Sequence, residues 1–502
     1  MKLYACVIAA AAALSFPAGF ARAETRDATT VTLGWQTEHA DLVLVAVVAD
    51  ETTAPGDPDA GGAAGANSGA GAGAAPADAD HPDREIVLRV ELGVKGDAAV
   101  GSTVRVRLPD HGLGSAWRPL VPHLVFLRAV RAPDGTVLHH VPVSGAFSVR
   151  AVEPGTAEAR FPALVAGLRD VLESPDPAAL RGLLVAWMED ADPGVAWSAA
   201  TDFVRRTDLH AGLTDAERAR IVAAYRAQPI GKTTKEALAY AAAATRTPDA
   251  VRALVDSLLL PDAHRIRGPV AEALRRIDSP ETERLLASRL AELSPPTAPT
   301  GGTQDAPPGT AGGTPGGTGA TGAAGTTGAT GGTGAAGATA VPPVATASAP
   351  AVAQRCALLG ALAVVGGTTA VSEVRALLTD AAPAVRVEAA AALGGMARNA
   401  RLRDPEARLG VAATLSGRLT SLLAAAASPE SPDPAASAAT AAATAAALEP
   451  ETRAVLWALA QLDEPGAFDV LRATAKSDAT PAATRDYAAR LLARPRQSLV
   501  GR

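Results

Sequence analysis

The stretch from Arg355 to Leu393 constrains the fold more than any other part of the chain, because it repeats itself. Arg386 follows Arg355 by 31 residues, and Leu393 follows Leu362 by the same interval. A period of this length marks stacked units that bury their apolar faces against one another. Each unit reads as two short amphipathic helices. Leu358, Leu359 and Leu362 fall at i, i+1 and i+4, and Val374, Leu377 and Leu378 at i, i+3 and i+4, so each set occupies one helical face. Pro383 suits a first helical turn, where its missing N–H costs nothing, and Asp380 stands just before it, where negative charge is favoured.

The template recurs. Arg267 is followed by Leu274, Asp278 and Leu286 at the offsets that separate Arg355 from Leu362, Gly366 and Val374. Lys235 lies 32 residues before Arg267, and Arg453 lies 32 before Arg485. Asp192-Pro193-Gly194-Val195 is a weaker copy, with Ala196 in the arginine position and Phe203 in the leucine position. The pattern D-x-x-P-x-V-R-x-x-A-A-x-A-L-G, as it stands at Asp380 to Gly394, resembles HEAT repeats, especially the short phycobilisome-lyase type. The resemblance covers about Pro162 to Arg494 outside a low-complexity tract. It implies an armadillo-like superhelix that binds protein. The lyase activity of some such proteins does not carry over, since no residue here marks a tetrapyrrole site.

A chain of 502 residues can hold two or three domains, and 3% aromatic content suits close-packed helices better than a large β-core. A net charge of −6 argues against a field that attracts nucleic acid or an anionic membrane. The N-terminus reads as a secretory signal over residues 1–23: Lys2, an apolar run from Leu3 to Phe20, then Ala21-Arg22-Ala23 as a cleavage site. Export to the periplasm or the exterior follows, with the mature chain starting near Glu24. Cys6 comes too early in the apolar run to serve as a lipid-bearing cysteine. No later apolar run reads as long enough to span a bilayer. After cleavage Cys356 is the remaining cysteine, which excludes a disulfide scaffold, and it reads as a small buried residue on a repeat helix.

Residues 24–153 carry a β pattern. Leu42 to Val48 is an apolar run. Ile86, Leu88, Val90, Leu92 and Val94 alternate with Val87, Arg89, Glu91 and Gly93, and Val104, Val106 and Leu108 alternate with Arg105 and Arg107. His123 to Leu127 and Val137 to Val141 complete about five strands, with Asp134-Gly135 as the turn between the last two. Five strands in this length suit a small closed barrel. The order of these signals resembles the OB-fold barrels of the netrin-like and metalloproteinase-inhibitor superfamily in a cysteine-free form. In those inhibitors an N-terminal cysteine chelates the protease zinc. Glu24 stands at this mature end, so inhibition by that route is unsupported. Oligonucleotide binding needs stacking aromatics on a basic face, and residues 84–130 offer Trp117 and Phe126.

Two tracts interrupt the pattern. Residues 54–83 are rich in Ala, Gly and Asp, and residues 294–350 in Gly, Thr, Ala and Pro; neither has the apolar mass to offset ordering entropy, so both are expected to be disordered. By the repeat register the second tract sits in a turn inside one repeat, which predicts one continuous solenoid with a looped-out insertion. The alternative is two short solenoids on a tether. Glycine recurs at every third position from Gly313 to Gly337, a collagen-like spacing, but with Pro315 as its one proline at an x or y site.

The chemistry-bearing residues are scattered. The eight histidines form no HExxH motif or metal-ligand cluster, and His139 and His140 on one strand point to opposite faces. Glu189, Asp190 and Asp192 read as solvated turn carboxylates. The recurrent pairs Asp380/Arg386, Asp262/Arg267 and Asp478/Arg485 read as capping and inter-repeat bonding. The sequence therefore predicts a multidomain α+β chain: an OB-like barrel over 24–153 and an all-α HEAT-type superhelical solenoid over 157–498. Its expected role is that of an exported, non-catalytic, monomeric protein-binding scaffold with no catalytic, cofactor or metal residues. Rival readings are an enzyme or inhibitor site on the barrel around Asp110, His111 or His123, and an envelope component oligomerising through the Gly-x-y tract.

Overall fold

The structure, a computed structural model, describes residues 31–53, 84–108, 117–118, 120–144, 148–174, 176–293, 348–427 and 434–494. The expected signal segment and Cys6, nearly all of both low-complexity tracts, Asp110 and His111 lie outside these residues.

A short helix α1 (Leu33–His39) precedes six strands: β1 (Leu42–Thr53), β2 (Arg84–Lys95), β3 (Thr103–Leu108), β4 (His123–Arg131), β5 (Val137–Pro142) and β6 (Val149–Ala151). Strand β1 pairs antiparallel with both β2 and β4, so the order β1-β2-β3-β5-β4 closes into a five-strand barrel. β3 meets β5 in parallel through Val106 and His140, and β6 lies against β4.

The barrel has two apolar faces. Leu44, Ala46, Leu88, Val106, Val125 and Leu127 fill its interior. The alternate residues Val43, Val45, Leu124 and Phe126 point outward and are buried in a second core shared with the helices. β1 and β4 are thus covered on both sides, which is why Leu42–Val48 and His123–Leu127 read as unbroken apolar runs. Leu92 departs from the expected alternation: it is 47% exposed. Val45 pairs with Leu92 but Ala46 pairs with Val90, so Glu91 is an extra residue in the ladder and the strand changes face there.

Helix α2 (Phe161–Leu172) follows, and the remaining helices form two rows. One row is α3 (Pro177–Met188), α5 (Asp215–Ala227), α7 (Pro248–Leu258), α9 (Pro280–Leu293), α11 (Val371–Ala376), α13 (Pro405–Ala427) and α15 (Pro465–Lys476). The other is α4 (Pro193–Arg205), α6 (Thr233–Thr245), α8 (Arg267–Ile277), α10 (Ala349–Val365), α12 (Pro383–Arg398), α14 (Pro434–Gln461) and α16 (Ala482–Ala493). Within each row every helix packs on the next, and the second row is the more closely packed. Small residues allow that approach: a Cβ on Gly395 would lie 2.7 Å from Ala363 Cβ, and one on Gly394 would lie 2.6 Å from the Trp457 ring. Starts follow sequence signals. Proline opens α3, α4, α7 and α12, Asp176, Asp192 and Thr247 cap the first three of these, and Thr214 and Glu217 form a capping box on α5.

Packing is unbroken across residues 294–347. Helix α10 lies against both α8 and α9, Glu283 accepts a hydrogen bond from the Ala370 N–H at 2.9 Å, and Arg401 pairs with Asp278 at 2.5 Å. Among the described residues one helix, α13, is long and apolar enough by length and composition to cross a membrane, the property a packed core helix also has. Here it packs on α14 through Val411, Leu415, Leu419 and Leu422, with Arg418 paired to the buried Glu451.

Candidate functional site at the barrel–helix junction

The first turn of α1 is capped by side chains of another helix. The Leu33 N–H donates to Ser198 Oγ at 2.7 Å and the Gly34 N–H to Asp202 Oδ2 at 3.1 Å, while Trp35 N–H is satisfied by Thr32 Oγ1 at 3.0 Å. Ser198 and Asp202 are one turn apart on α4, so one helix face supplies both acceptors. The Thr32 hydroxyl donates to the other Asp202 oxygen. Asp202 is 8% exposed, and burial pushes its carboxyl up to about 6, against the opposing hydrogen bonds and the Arg205 charge. A Cβ on Gly34 would sit 2.2 Å from Asp202 Oδ2, so glycine is required there. Glu38 pairs with Arg206, Arg169 donates to the Val94 carbonyl, and Lys95 donates to the Thr37 carbonyl at 2.7 Å. Barrel and helices are thereby joined by a buried polar latch as well as by a shared core.

Beside the latch, β6 and the start of the helices enclose a cleft of about 530 Å³ lined by Arg118, Arg150, Glu153, Glu158, Phe161 and Asp192, with Ala151 and Thr156. The Arg150 guanidinium lies over the Phe161 ring, 5.4 Å from its centroid. Burial lowers its affinity for the proton, and Asp192 partly restores it. Arg118 is already paired with Glu153 at 2.6 Å.

The helical rows carry most of the buried charge. Arg355, 1% exposed, pairs with Asp380 of the next turn, and Asp380 also accepts from the Ala382 N–H at 2.8 Å. Arg386 and Arg418 share Glu451, at 2.8 and 2.6 Å. The buried Lys235 donates to the Tyr225 carbonyl and lies 4.0 Å over the Tyr225 ring, and burial brings its amine down to about 8. Of the pairs read from sequence, Asp478 and Arg485 meet at 3.0 Å. Asp380 takes Arg355 on its carboxylate and Arg386 on its carbonyl. Arg267 bonds Glu388 at 3.0 Å, far along the sequence from Asp262.

Other sequence candidates occupy structural positions. His123 is fully buried, accepts from the Arg118 N–H at 3.2 Å, and packs against Trp117. Cys356 is half-buried on α10, its thiol pushed up to about 11 by burial and by Glu388. Glu189 and Asp190, expected to be solvated, are held by Arg220 at 2.8 Å and Arg160 at 2.7 Å. Among the described residues no group of three His, Cys, Asp or Glu side chains could hold a metal. The latch and the cleft were missed in the sequence, where Asp202 and Arg150 carry no local signal. No protein-family model matches the chain, and no curated protein matches it.

Proposed function

We propose that the chain is an exported, non-catalytic scaffold that binds a protein partner along its helical array, a HEAT-type solenoid behind an OB-type barrel. The observation that carries this reading is the row α4 to α16. It carries partly buried aromatic side chains at intervals, each packed on the core with part of its surface open: Trp197 on α4, Tyr240 on α6, Trp457 on α14 and Tyr487 on α16. Arg276 lies 4.5 Å over Tyr240, and Arg453 and Arg490 lie 5.7 and 5.8 Å from Tyr487. Aromatic residues and arginine dominate the energetics of protein interfaces. The closer packing of this row supports reading it as the inner side of a curved stack, the side on which repeat proteins present extended binding surfaces. The barrel order β1-β2-β3-β5-β4 supports the OB-type reading. The core shared by barrel and helices favours one working unit over a barrel carried on a spacer.

The test uses the full mature chain, immobilised and exposed to envelope extract, beside a Tyr240→Ala/Tyr487→Ala variant. The expected result is saturable retention of a defined protein by the parent chain and at least tenfold weaker retention by the variant. Equal retention by both would move binding away from this row.

A further inference from the structure

We propose that the junction cleft binds the terminal carboxylate of a basic residue, either free lysine or arginine or the C-terminal residue of a peptide. The site is independent of the scaffold surface proposed above, and its chemistry starts from Arg150. This side chain is half-buried on β6 and makes no hydrogen bond or ion pair with the described residues. Its Nε is wholly enclosed, and its one specific contact is the face of Phe161. A guanidinium withdrawn from water without a paired anion is costly. With Nε enclosed and Phe161 covering one side, the remaining nitrogens are the ones left to donate a forked pair of bonds.

The neighbouring charges decide which anion fits. Arg118 is neutralised by Glu153, and Asp192 commits Oδ1 to the Gly194 and Val195 N–H groups at 2.7 and 3.2 Å, capping α4, while its Oδ2 lies 3.9 Å from the Arg160 guanidinium. Glu158 also lines the cleft and is exposed. The lining therefore carries two arginines against three carboxylates, Glu153, Glu158 and Asp192. A phosphate dianion would gain Arg150 but meet the field of those carboxylates at close range. A single carboxylate joined to a cation satisfies both sides: the carboxylate on Arg150 and the cation towards Glu158, the lining carboxylate that has no arginine partner among the described residues. The volume suits a ligand of one or two residues, and junctions between domains are common places for such sites.

Calorimetry on the full mature chain tests this with L-lysine, L-lysinamide, the tripeptide Ala-Ala-Lys and inorganic phosphate as probes. The expected result is binding of L-lysine or Ala-Ala-Lys, with lysinamide and phosphate at least about tenfold weaker, the loss of one charge-assisted forked pair. Stronger binding of the tripeptide would assign the site to peptide ends, and binding of lysine without the tripeptide would assign it to the free amino acid. Arg150→Gln should weaken the preferred probe about tenfold, and Glu158→Gln, an exposed change that leaves the core untouched, about threefold. Near-UV circular dichroism of both variants checks that they fold. Lysinamide or phosphate binding as well as lysine, no heat with any probe, or undiminished binding by a folded Arg150→Gln variant would overturn the proposal.

Discussion

Arg267 crosses α10 over Gly360 to reach Glu388 on α12, so one side chain ties three helices of the closely packed row. A Cβ on Gly360 would lie 2.8 Å from Arg267 Nε, and the guanidinium also donates to the Cys356 carbonyl at 3.4 Å. Glu388 is held above the ordinary carboxylate range by burial, with Arg267 acting against that rise. Arg267→Gln should therefore destabilise the chain by about 1–2 kcal/mol at pH 8, a figure reduced because Arg267 is partly solvated. The sign with pH is fixed: a carboxyl whose folded pKa is raised loses stability as pH climbs through it, and removing the arginine raises it further. Urea titrations should show a smaller gap between parent and variant at pH 5 than at pH 8. A gap that does not change with pH would separate Arg267 from Glu388 energetically.

Asp202 makes the barrel latch sensitive to pH. Its carboxyl titrates at about 6 against an ordinary value of 3.8. The folded state thus favours the protonated form, and stability present below about pH 4 is lost as pH rises through 6, on the order of 3 kcal/mol in all. The groups around it are Thr32 and Gly34 on one side and Arg205 on its own helix, all of which favour the charged form and limit the effect. Asp202→Asn should flatten the stability profile between pH 4 and 7. Gly34→Ala, which drives a methyl against the carboxylate, should cost about 1–3 kcal/mol at any pH. Thermal midpoints across that pH range check both.

The sequence made some of this legible and hid the rest for physical reasons. The strands and paired helices could be read because their signals are local: alternation in β3, apolar spacing around Leu362, Pro383 at a first turn. The double burial of β1 and β4 was also written in the run from Leu42 to Val48, but a continuous apolar run has the same appearance whichever neighbour covers its second face. Asp202 could not be singled out, since it acts through Thr32 and Gly34, which are about 170 residues away. Arg267 carried the repeat signal, yet its partner is Glu388 rather than the nearby Asp262, because Gly360 opens a path that spacing does not reveal.

Arg355 and Asp380 form the most deeply buried ion pair described, at 1% and 5% side-chain exposure. Removing one partner leaves the other charge buried and unpaired, so Arg355→Met alone and Asp380→Asn alone should each cost about 3–5 kcal/mol. Asp380→Asn can still accept from the Ala382 N–H, which isolates the ion pair from the turn. The double variant should be less destabilised than the sum of the two, by a coupling of at least about 1 kcal/mol in a double-mutant cycle. Additive losses would mean that the pair contributes no interaction beyond its separate parts.

The packing of α10 on α8 and α9 predicts the effect of removing the tract between them. Glu283 with Ala370, Arg401 with Asp278, and Arg267 with Glu388 all join elements on either side of residues 294–347. If those bonds hold the stack together, the intervening chain is dispensable. Replacing residues 294–347 with about ten Gly/Ser residues shortens the loop roughly fivefold. Loop closure then becomes easier by about 1.4 kcal/mol, while both rows of helices stay intact. The shortened chain should unfold in one cooperative transition at an equal or slightly higher temperature, and it should keep the solution mass of the parent. Two separate transitions in the parent chain would instead mark two helical units on a tether. A parent trimer that becomes monomeric on shortening would give the Gly-x-y spacing an assembly role that the packed helices do not require.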